Sequence, residues 1–244
     1  MMARGLIVAT QFLTRLPAPR LDAIEAGDLA RSAAWFPFVG AVIGGLVAAA
    51  VWTGAHFGPW IGALCGLVVW IAITGALHLD GLGDVADALG AAHGSPDRFL
   101  EVVRDPHIGS FGVTAIVLQI LAKLVLLAEL ARGSDVVALV FVAAWARWGV
   151  LVLGQAVAPL AEGLGARFAR EIDWRTTAAW GVALALASAW LAAPLIGALA
   201  IVAALALFWR LRVGGMSGDC LGASIEVAET LLLVLLVTLS PLRM

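Results

Sequence analysis

The sequence predicts an all-α fold, namely a polytopic helical membrane protein with about seven transmembrane helices and an N-terminal interfacial helix. Of its 244 residues, 62% are hydrophobic and 13% are charged, and the mean hydropathy is +1.01. Soluble domains average about 45–50% apolar and about 25% charged residues. The apolar residues form continuous runs without alternation, which argues against a membrane β-barrel. No polar stretch is long enough for a soluble domain, so residues 1–244 are predicted to form one integral membrane domain within the lipid bilayer.

The elements follow from the lengths of the apolar runs. Residues 4–16 are too few to span a bilayer, which needs about 20, and Pro17 ends their pattern, so they predict the interfacial helix. Gly40 and Gly44 have the small-xxx-small spacing that allows two helices to pack closely. The predicted spans are residues 32–52, 59–77, 109–130, 136–158, 177–193, 195–209 and 225–239.

The basic residues predict the orientation. With the N-terminus in the cytoplasm, the two outside basic residues are Arg132 and Arg243. The inside residues are eleven: Arg4, Arg15, Arg20, Arg31, Arg98, Arg104, Arg167, Arg170, Arg175, Arg210 and Arg212. Cytoplasmic loops of membrane proteins carry the excess of Lys and Arg. The loops 78–108, 159–176 and 210–224 are therefore predicted to face the cytoplasm, and the motifs described next place the candidate active site in these loops.

One stretch, His78-Leu-Asp-Gly-Leu-Gly-Asp-Val-Ala-Asp87, follows directly on an apolar run. On a helix, the spacings of four and three place Asp80, Asp84 and Asp87 on one face, where like charges repel. A bound cation relieves such repulsion, and hard carboxylate oxygens suit Mg²⁺, which usually takes one or two carboxylates together with substrate phosphates. The alternative is a solvated acidic turn between two helices. The sequence favours a Mg²⁺ site.

The loop that follows contains a second candidate cluster. Ser95 and Pro96 have the pattern of a helix start, and this short helix is predicted to end near Arg104. Arg104, Asp105 and His107 then lie just before the next span. Arg104 offers a fork of donors for a phosphate, and backbone amides at the glycines 109 and 112 allow approach of an anion. An ordinary interfacial helix and turn explain these residues equally well.

A second glycine-rich loop precedes the last predicted span. It contains Gly214, Gly215, Ser217 and a fourth carboxylate, Asp219. Glycines permit close approach of a ligand to the backbone. Because both loops are predicted on the same side, Asp219 is expected to converge with the three aspartates.

Lys123 and Arg147 are the basic residues that fall within predicted spans. Each is a functional candidate by default or half of a buried ion pair. The alternative is that each side chain snorkels toward an interface. The net charge of −2 gives no reason to expect a nucleic-acid partner, and the composition leaves a homo-oligomer open.

These motifs resemble those of the cobalamin synthase family, the adenosylcobinamide-GDP ribazoletransferases of the inner membrane. The resemblance covers nearly the whole chain. Besides the aspartate motif, it includes Phe12-Leu-Thr-Arg-Leu-Pro17, Phe36-Pro-Phe-Val-Gly40, Arg104-Asp105-Pro-His-Ile-Gly-Ser-Phe-Gly112, Gly163-Leu-Gly165 and Gly214-Gly-Met-Ser-Gly-Asp219. Gly83 and His107 depart from the residues usual in the family, and no arginine immediately precedes Gly163.

The resemblance implies a Mg²⁺-dependent transferase that joins adenosylcobinamide-GDP to α-ribazole or its 5′-phosphate and releases GMP. It implies metal ligation by Asp80, Asp84, Asp87 and Asp219, with Asp84 or Asp87 as the alternative acceptor of the proton of the attacking hydroxyl. The residues implied in substrate binding are His78, Arg104, Asp105, His107, Gly214, Gly215 and Ser217.

Two other functions remain open at this point. A CDP-alcohol phosphotransferase-like enzyme also uses aspartates at a membrane surface, but its motif has an Ala-Arg pair after Asp-Gly that this chain lacks. A transporter would use the aspartates as a cation path. Charges at one end of the spans, with few at mid-membrane, argue against transport.

Overall fold

The computed structural model describes residues 2–21, 27–92, 95–133, 135–161 and 172–239. Their secondary structure is helical, apart from an isolated bridge between Pro159 and Met216. The α-helices are α1 (Met2–Leu13), α2 (Asp28–Ala33), α3 (Phe36–Ala55), α4 (Pro59–Thr74), α5 (Leu77–Ala91), α6 (Pro96–Val103), α7 (Ser110–Leu130), α8 (Leu139–Ala156), α9 (Trp174–Leu191), α10 (Ala198–Arg212) and α11 (Gly218–Leu239). Short 3₁₀ turns precede α8 and α10. The all-α prediction is confirmed.

Five segments of the described chain are long and apolar enough to cross a membrane. They are Phe36–Ala55, Ser110–Leu130, Val136–Ala156, Ala193–Arg212 and Gly218–Leu239. The bent pair α4 and α5 gives a sixth if it is counted as one span. The chain is therefore a membrane protein, but the predicted seven spans are not confirmed. The predicted fifth span forms α9, which does not belong to this set.

The predicted second span ends early. The helix α4 has 16 residues, and the chain then turns so that α5 runs at 84° to it. Gly75 and Ala76 have φ values of 62° and 58°, and a left-handed residue ends a helix. The side chain of Arg15 lies against Gly75, and the backbone N–H of Arg15 donates to the carbonyl of Ile73 at 2.6 Å. The acidic stretch is consequently a separate helix, α5, outside the five spans.

The two helices α3 and α8 pack with their backbones in close contact. A Cβ atom added at Gly40 would lie 2.9 Å from Cα of Ala144, and one added at Gly44 would lie 2.7 Å from Cα of Val140. The small-xxx-small prediction is confirmed, because each glycine leaves the space that the opposing backbone fills.

Four charged side chains form a buried network inside the bundle. The Lys123 Nζ donates to Glu226 at 2.6 Å and to Glu229 at 2.5 Å, and it lies 4.5 Å from the ring centroid of Trp70. The Arg147 guanidinium is paired with the other oxygen of Glu229. All four charged residues are at most 4% exposed, so the buried-pair interpretation is confirmed and snorkelling is wrong.

The two acidic partners, Glu226 and Glu229, were not predicted from the sequence. The predicted last span begins at residue 225, whereas α11 begins at Gly218. Residues 218–224 of the predicted glycine-rich loop are therefore helical. Asp219 lies in the first turn of a membrane helix, at its N-terminal end.

The close α3–α8 packing predicts that Gly44→Ala destabilises the protein, because the new methyl group meets backbone that cannot move aside. We expect a loss of about 1–3 kcal/mol in the free energy of unfolding. The matched control is Gly45→Ala, since a Cβ there meets nothing within 4 Å. The control should be neutral or stabilising, as alanine favours a helix by roughly 0.5–1 kcal/mol. Thermal unfolding in detergent measures both, and equal effects would contradict the packing.

The buried network predicts that Glu229→Gln costs about 3–5 kcal/mol, because Arg147 loses its anionic partner in an apolar interior. The matched control is Glu129→Gln. Glu129 is paired with Arg132 at 2.7 Å where both side chains reach solvent, and such pairs contribute about 0–1 kcal/mol. Denaturation of the purified variants compares the two, and a larger loss for the control would overturn this account of the network.

Candidate active site

The acidic stretch forms the helix α5, as predicted. Its aspartates lie on one face, with Asp80 exposed and Asp84 and Asp87 half-buried. Val85 and Ala88 of the same helix are buried and belong to the hydrophobic core. Their packing holds the helix, while Asp80, Asp84 and Asp87 remain at least partly accessible to solvent.

The N-terminal end of α11 crosses α5 at this face. A Cβ atom added at Gly81 would lie 3.0 Å from the backbone oxygen of Asp219, and one added at Gly222 would lie 3.5 Å from Cα of His78. Glycines on both helices therefore permit the backbones to meet. This confirms the predicted convergence of the two loops, and it places Asp219 beside the aspartates of α5.

The resulting cluster of carboxylates is electrostatically unfavourable. Partial burial, followed by repulsion from Asp80, Asp219 and Asp87, raises the pKa of Asp84 from 3.8 to about 6. Among the described residues, no Lys, Arg or His forms an ion pair with Asp80, Asp84 or Asp219. The repulsion is thus not relieved by a basic side chain of the described chain.

Asp87 has different surroundings from the other aspartates. The backbone N–H groups of Gly109 and Gly112, at the start of α7, donate to its two carboxylate oxygens at 2.6 Å and 2.9 Å. A carboxylate at this end also compensates the helix dipole. A Cβ atom added at Gly109 would lie 2.9 Å from Cγ of Asp87, so the glycine is needed for the contact. The anion that these amides bind in the structure is therefore a side chain of the protein.

The remaining aspartates provide the chemistry of a Mg²⁺ site, although they do not enclose an ion. Among the described residues, no three acidic, His or Cys side chains are arranged so that they could hold a metal ion together. Mg²⁺ commonly takes only one or two carboxylates and completes its coordination with phosphates and water. Asp80, Asp84 and Asp219 could hold the ion in this way, since they are oxygen donors that have no basic partner among the described residues. Both Asp87 oxygens already accept hydrogen bonds.

The second predicted cluster lies in the exposed connection between α6 and α7. Ser95 caps α6 by accepting from the backbone N–H of Arg98 at 3.3 Å, as predicted. Arg104 is exposed at the other end of α6. Asp105 accepts from the ring Nδ1 of His107 at 2.7 Å, and this hydrogen bond lowers the pKa of Asp105. No described hydrogen bond or ion pair joins these three side chains to the aspartates of α5, so their substrate-binding role stays a prediction.

The residues of the glycine-rich turn make contacts that stabilise the neighbouring backbone. Gly214 has a φ of 80°, and a Cβ atom added at Gly215 would lie 2.8 Å from the carbonyl oxygen of Ala158. Ser217 precedes α11, and its Oγ accepts from the backbone N–H of Cys220 at 3.3 Å. The same hydroxyl lies 3.3 Å from an Asp219 oxygen. These contacts hold the start of α11, while contacts with a nucleotide stay a prediction.

His78 is buried and borders an apolar cavity that also reaches Asp219. The cavity has a volume of about 260 Å³. Its apolar wall was not predicted from the sequence, nor was the position of Arg15, whose side chain lies at the bend before α5. The sequence feature that contains part of this wall and Arg15 is the motif Phe12-Leu-Thr-Arg-Leu-Pro17. Most of the third predicted loop, residues 162–171, lies outside the described residues.

The different surroundings of the aspartates predict opposite effects of two similar substitutions. Asp87→Asn replaces an acceptor oxygen with an NH₂ group that faces a backbone N–H, so we expect a loss of about 1–3 kcal/mol. Asp84→Asn removes repulsion and should leave stability at pH 7 unchanged or higher. Between about pH 4 and 6, folded Asp84 keeps a proton that the unfolded chain releases, so stability should fall as pH rises.

Thermal unfolding between pH 4 and 7 checks both expectations. Asp84→Asn should remove that part of the pH dependence, whereas Asp87→Asn should retain it at a lower midpoint. Equal destabilisation by the two substitutions would contradict the separate roles of the aspartates.

Comparisons with known proteins place the chain in a family. The family model described as cobalamin-5-phosphate synthase matches residues 5–237. A protein of Novosphingobium aromaticivorans named adenosylcobinamide-GDP ribazoletransferase is 50% identical over 238 residues, which cover 95% of each chain. Proteins with the same name from Thiobacillus denitrificans and Deinococcus radiodurans are 49% and 38% identical over 95% and 94% of this chain, and over 94% and 84% of their own. No solved structure matches. The chain belongs to the cobalamin-5-phosphate synthase family.

Proposed function

We propose that this protein joins adenosylcobinamide-GDP to α-ribazole, or to α-ribazole 5′-phosphate, and releases GMP in the last steps of cobalamin biosynthesis. The observation that carries the proposal is the meeting of α5 and α11, which brings Asp219 beside Asp80 and Asp84 in a chain of this family. Family membership also favours this reaction over the CDP-alcohol phosphotransferase and transporter alternatives.

The reaction needs charge neutralisation more than covalent chemistry by the protein. An oxygen–phosphorus bond forms between the ribose hydroxyl and the phosphorus linked to cobinamide, and the bond from that phosphorus to the GMP oxygen breaks. Phosphoryl transfer of this type depends on positioning and on stabilisation of oxygen charge. Mg²⁺, when bound, supplies that stabilisation at the pyrophosphate.

The different surroundings of the aspartates support separate tasks. Asp80 and Asp219 would hold Mg²⁺, with phosphate oxygens completing its coordination. Asp84 would accept the proton of the attacking hydroxyl, because it lies next to the carboxylates assigned to Mg²⁺ and, unlike Asp87, accepts no hydrogen bond from the described part of the chain. Asp87 would position α5 through its hydrogen bonds to Gly109 and Gly112.

The proposal includes the location of the site. The excess of arginines in the segments that contain α6 and the end of α10 supports a cytoplasmic site at the bacterial inner membrane. Nucleotides and Mg²⁺ are abundant on that side. Whether one chain or a homo-oligomer forms the enzyme does not alter these assignments, since the site's described contacts come from one chain.

Purified protein in detergent tests the reaction directly. Incubation with adenosylcobinamide-GDP, α-ribazole and Mg²⁺ should release GMP, and EDTA should stop the release. Asp84→Asn should abolish turnover while the variant remains in the membrane fraction. Absence of product from the folded wild type, or retained Mg²⁺-dependent release of GMP by the variant, would overturn the assignment.

A binding measurement separates the metal ligands from the base without relying on turnover. Mg²⁺ should raise the thermal midpoint of the wild type, because a ligand that binds only the folded state stabilises it. Asp84→Asn should keep most of this rise, whereas Asp80→Asn and Asp219→Asn should lose it. Asp97→Asn, an exposed change in the first turn of α6, is the matched control and should respond as the wild type does.

A further inference from the structure

The cavity next to the aspartates is apolar on nearly all sides. It lies where α1, α3, α5, α8 and α11 meet, and its apolar wall includes Phe12, Leu13, Phe36, Val150 and Ile225. Its polar residues are His78 and Asp219. A ligand that filled this space would be apolar in its body and would meet polar side chains at His78 and Asp219.

The buried ion network determines which ring nitrogen of His78 carries the proton and can therefore donate a hydrogen bond. Nη2 of Arg147 lies 3.5 Å from Nδ1 of His78, and Arg147 is itself held by Glu229. A guanidinium has donors and no acceptor, so Nδ1 is the unprotonated nitrogen and the proton resides on Nε2. Nε2 has no hydrogen-bond partner within the described part of the chain. The Nε2–H group of His78 is thus a side-chain donor at the cavity wall that the described part of the chain leaves without a partner.

The volume of the cavity limits the size of the ligand that can bind in it. Pockets for whole drug-sized ligands run from about 300 to 1,000 Å³. A cavity of about 260 Å³ accommodates a bicyclic aromatic ring and is far too small for a corrin macrocycle. The adenine and guanine of adenosylcobinamide-GDP are also bicyclic, but their additional ring nitrogens and exocyclic groups would be left without partners against this apolar wall. The base of the acceptor matches the cavity in both size and polarity.

We propose that this cavity binds the base of the acceptor nucleoside, an uncharged bicyclic aromatic ring with one unprotonated nitrogen. The dimethylbenzimidazole of α-ribazole has this chemistry, and its free ring nitrogen accepts from Nε2 of His78. The attached ribose then extends past Asp219, with its hydroxyl toward Asp84 and the phosphate. This inference rests on the proposed function and adds to it the site that selects the acceptor.

Filling the cavity tests the inference. Ile225→Phe adds volume at the wall, and we expect the KM for α-ribazole to rise at least about tenfold while the KM for adenosylcobinamide-GDP stays unchanged. The matched control is Leu231→Phe, a similar enlargement on the exposed side of the same helix. It should change neither constant. Fluorescence or calorimetric titration of each protein with α-ribazole alone should show the same difference without turnover.

A comparison of two acceptor substrates tests whether Nε2 of His78 donates a hydrogen bond to the base. The comparison uses the wild type, so the result does not depend on whether a variant folds. The analogue carries an indole in place of the benzimidazole, which replaces the accepting nitrogen with CH. The wild type should prefer α-ribazole over this analogue by at least about tenfold in kcat/KM. In His78→Leu the preference should fall toward one, whereas a merely structural role for His78 would slow both acceptors equally.

The outcomes separate this inference from the proposed function. If the wild type releases no GMP, the proposed function fails. If the wild type turns over and Ile225→Phe alters only the KM for adenosylcobinamide-GDP, or leaves both constants unchanged as a lipid-filled cavity would, this inference fails alone. Equal use of α-ribazole and its indole analogue by the wild type would likewise overturn the role of His78.

Discussion

The ion network of Lys123, Arg147, Glu226 and Glu229 is the constraint on which the rest of the structure depends. Its two positive and two negative charges are withdrawn from solvent within an apolar bundle, where a charge without a partner is strongly unfavourable. The network joins α7, α8 and α11, so none of these helices can slide or rotate without separating a pair. Dispersion contacts alone would allow alternative registers, whereas the four charges favour one.

The same network reaches the active site along α11 and through His78. Asp219 lies ten residues before Glu229 on one continuous helix, which is about 15 Å along its axis. His78, at the start of α5, faces Arg147. The register that pairs the buried charges therefore also determines where Asp219 meets α5. The buried charges and the carboxylates are thus joined by continuous helices rather than by a loop.

The sequence predicted the parts of this arrangement that depend on local spacing. The aspartate face of α5, the Ser95 cap and the close packing at Gly40 and Gly44 each follow from residues a few positions apart. The bend at Gly75 and Ala76 was missed because alanine gives no sign of a left-handed conformation. Glu226 and Glu229 were missed because the span boundary was placed too late, and their partners lie more than 80 residues away in the chain.

The three aspartates of α5 show why spacing alone did not give their separate roles. They are chemically identical and share one helix face, so the sequence alone predicts a single set of ligands. In the structure, the neighbouring elements give each aspartate different surroundings. The amides at the start of α7 satisfy Asp87, which becomes part of the scaffold. Asp84 is partly buried among the other carboxylates, and this burial, followed by their repulsion, raises its pKa.

The different surroundings of the aspartates also explain how α5 can be stable although its carboxylates repel one another. The end of α5 near Asp87 is held by the dipole and amides of α7, and the end near His78 is held against the buried network. Between these two attachments, Asp80 and Asp84 can remain close to Asp219 without a basic partner, because the helix that bears them cannot move away. A helix held at both ends, with carboxylates between them that have no basic partner among the described residues, suits the proposed site for a cation and phosphates, because a bound metal ion would neutralise those charges.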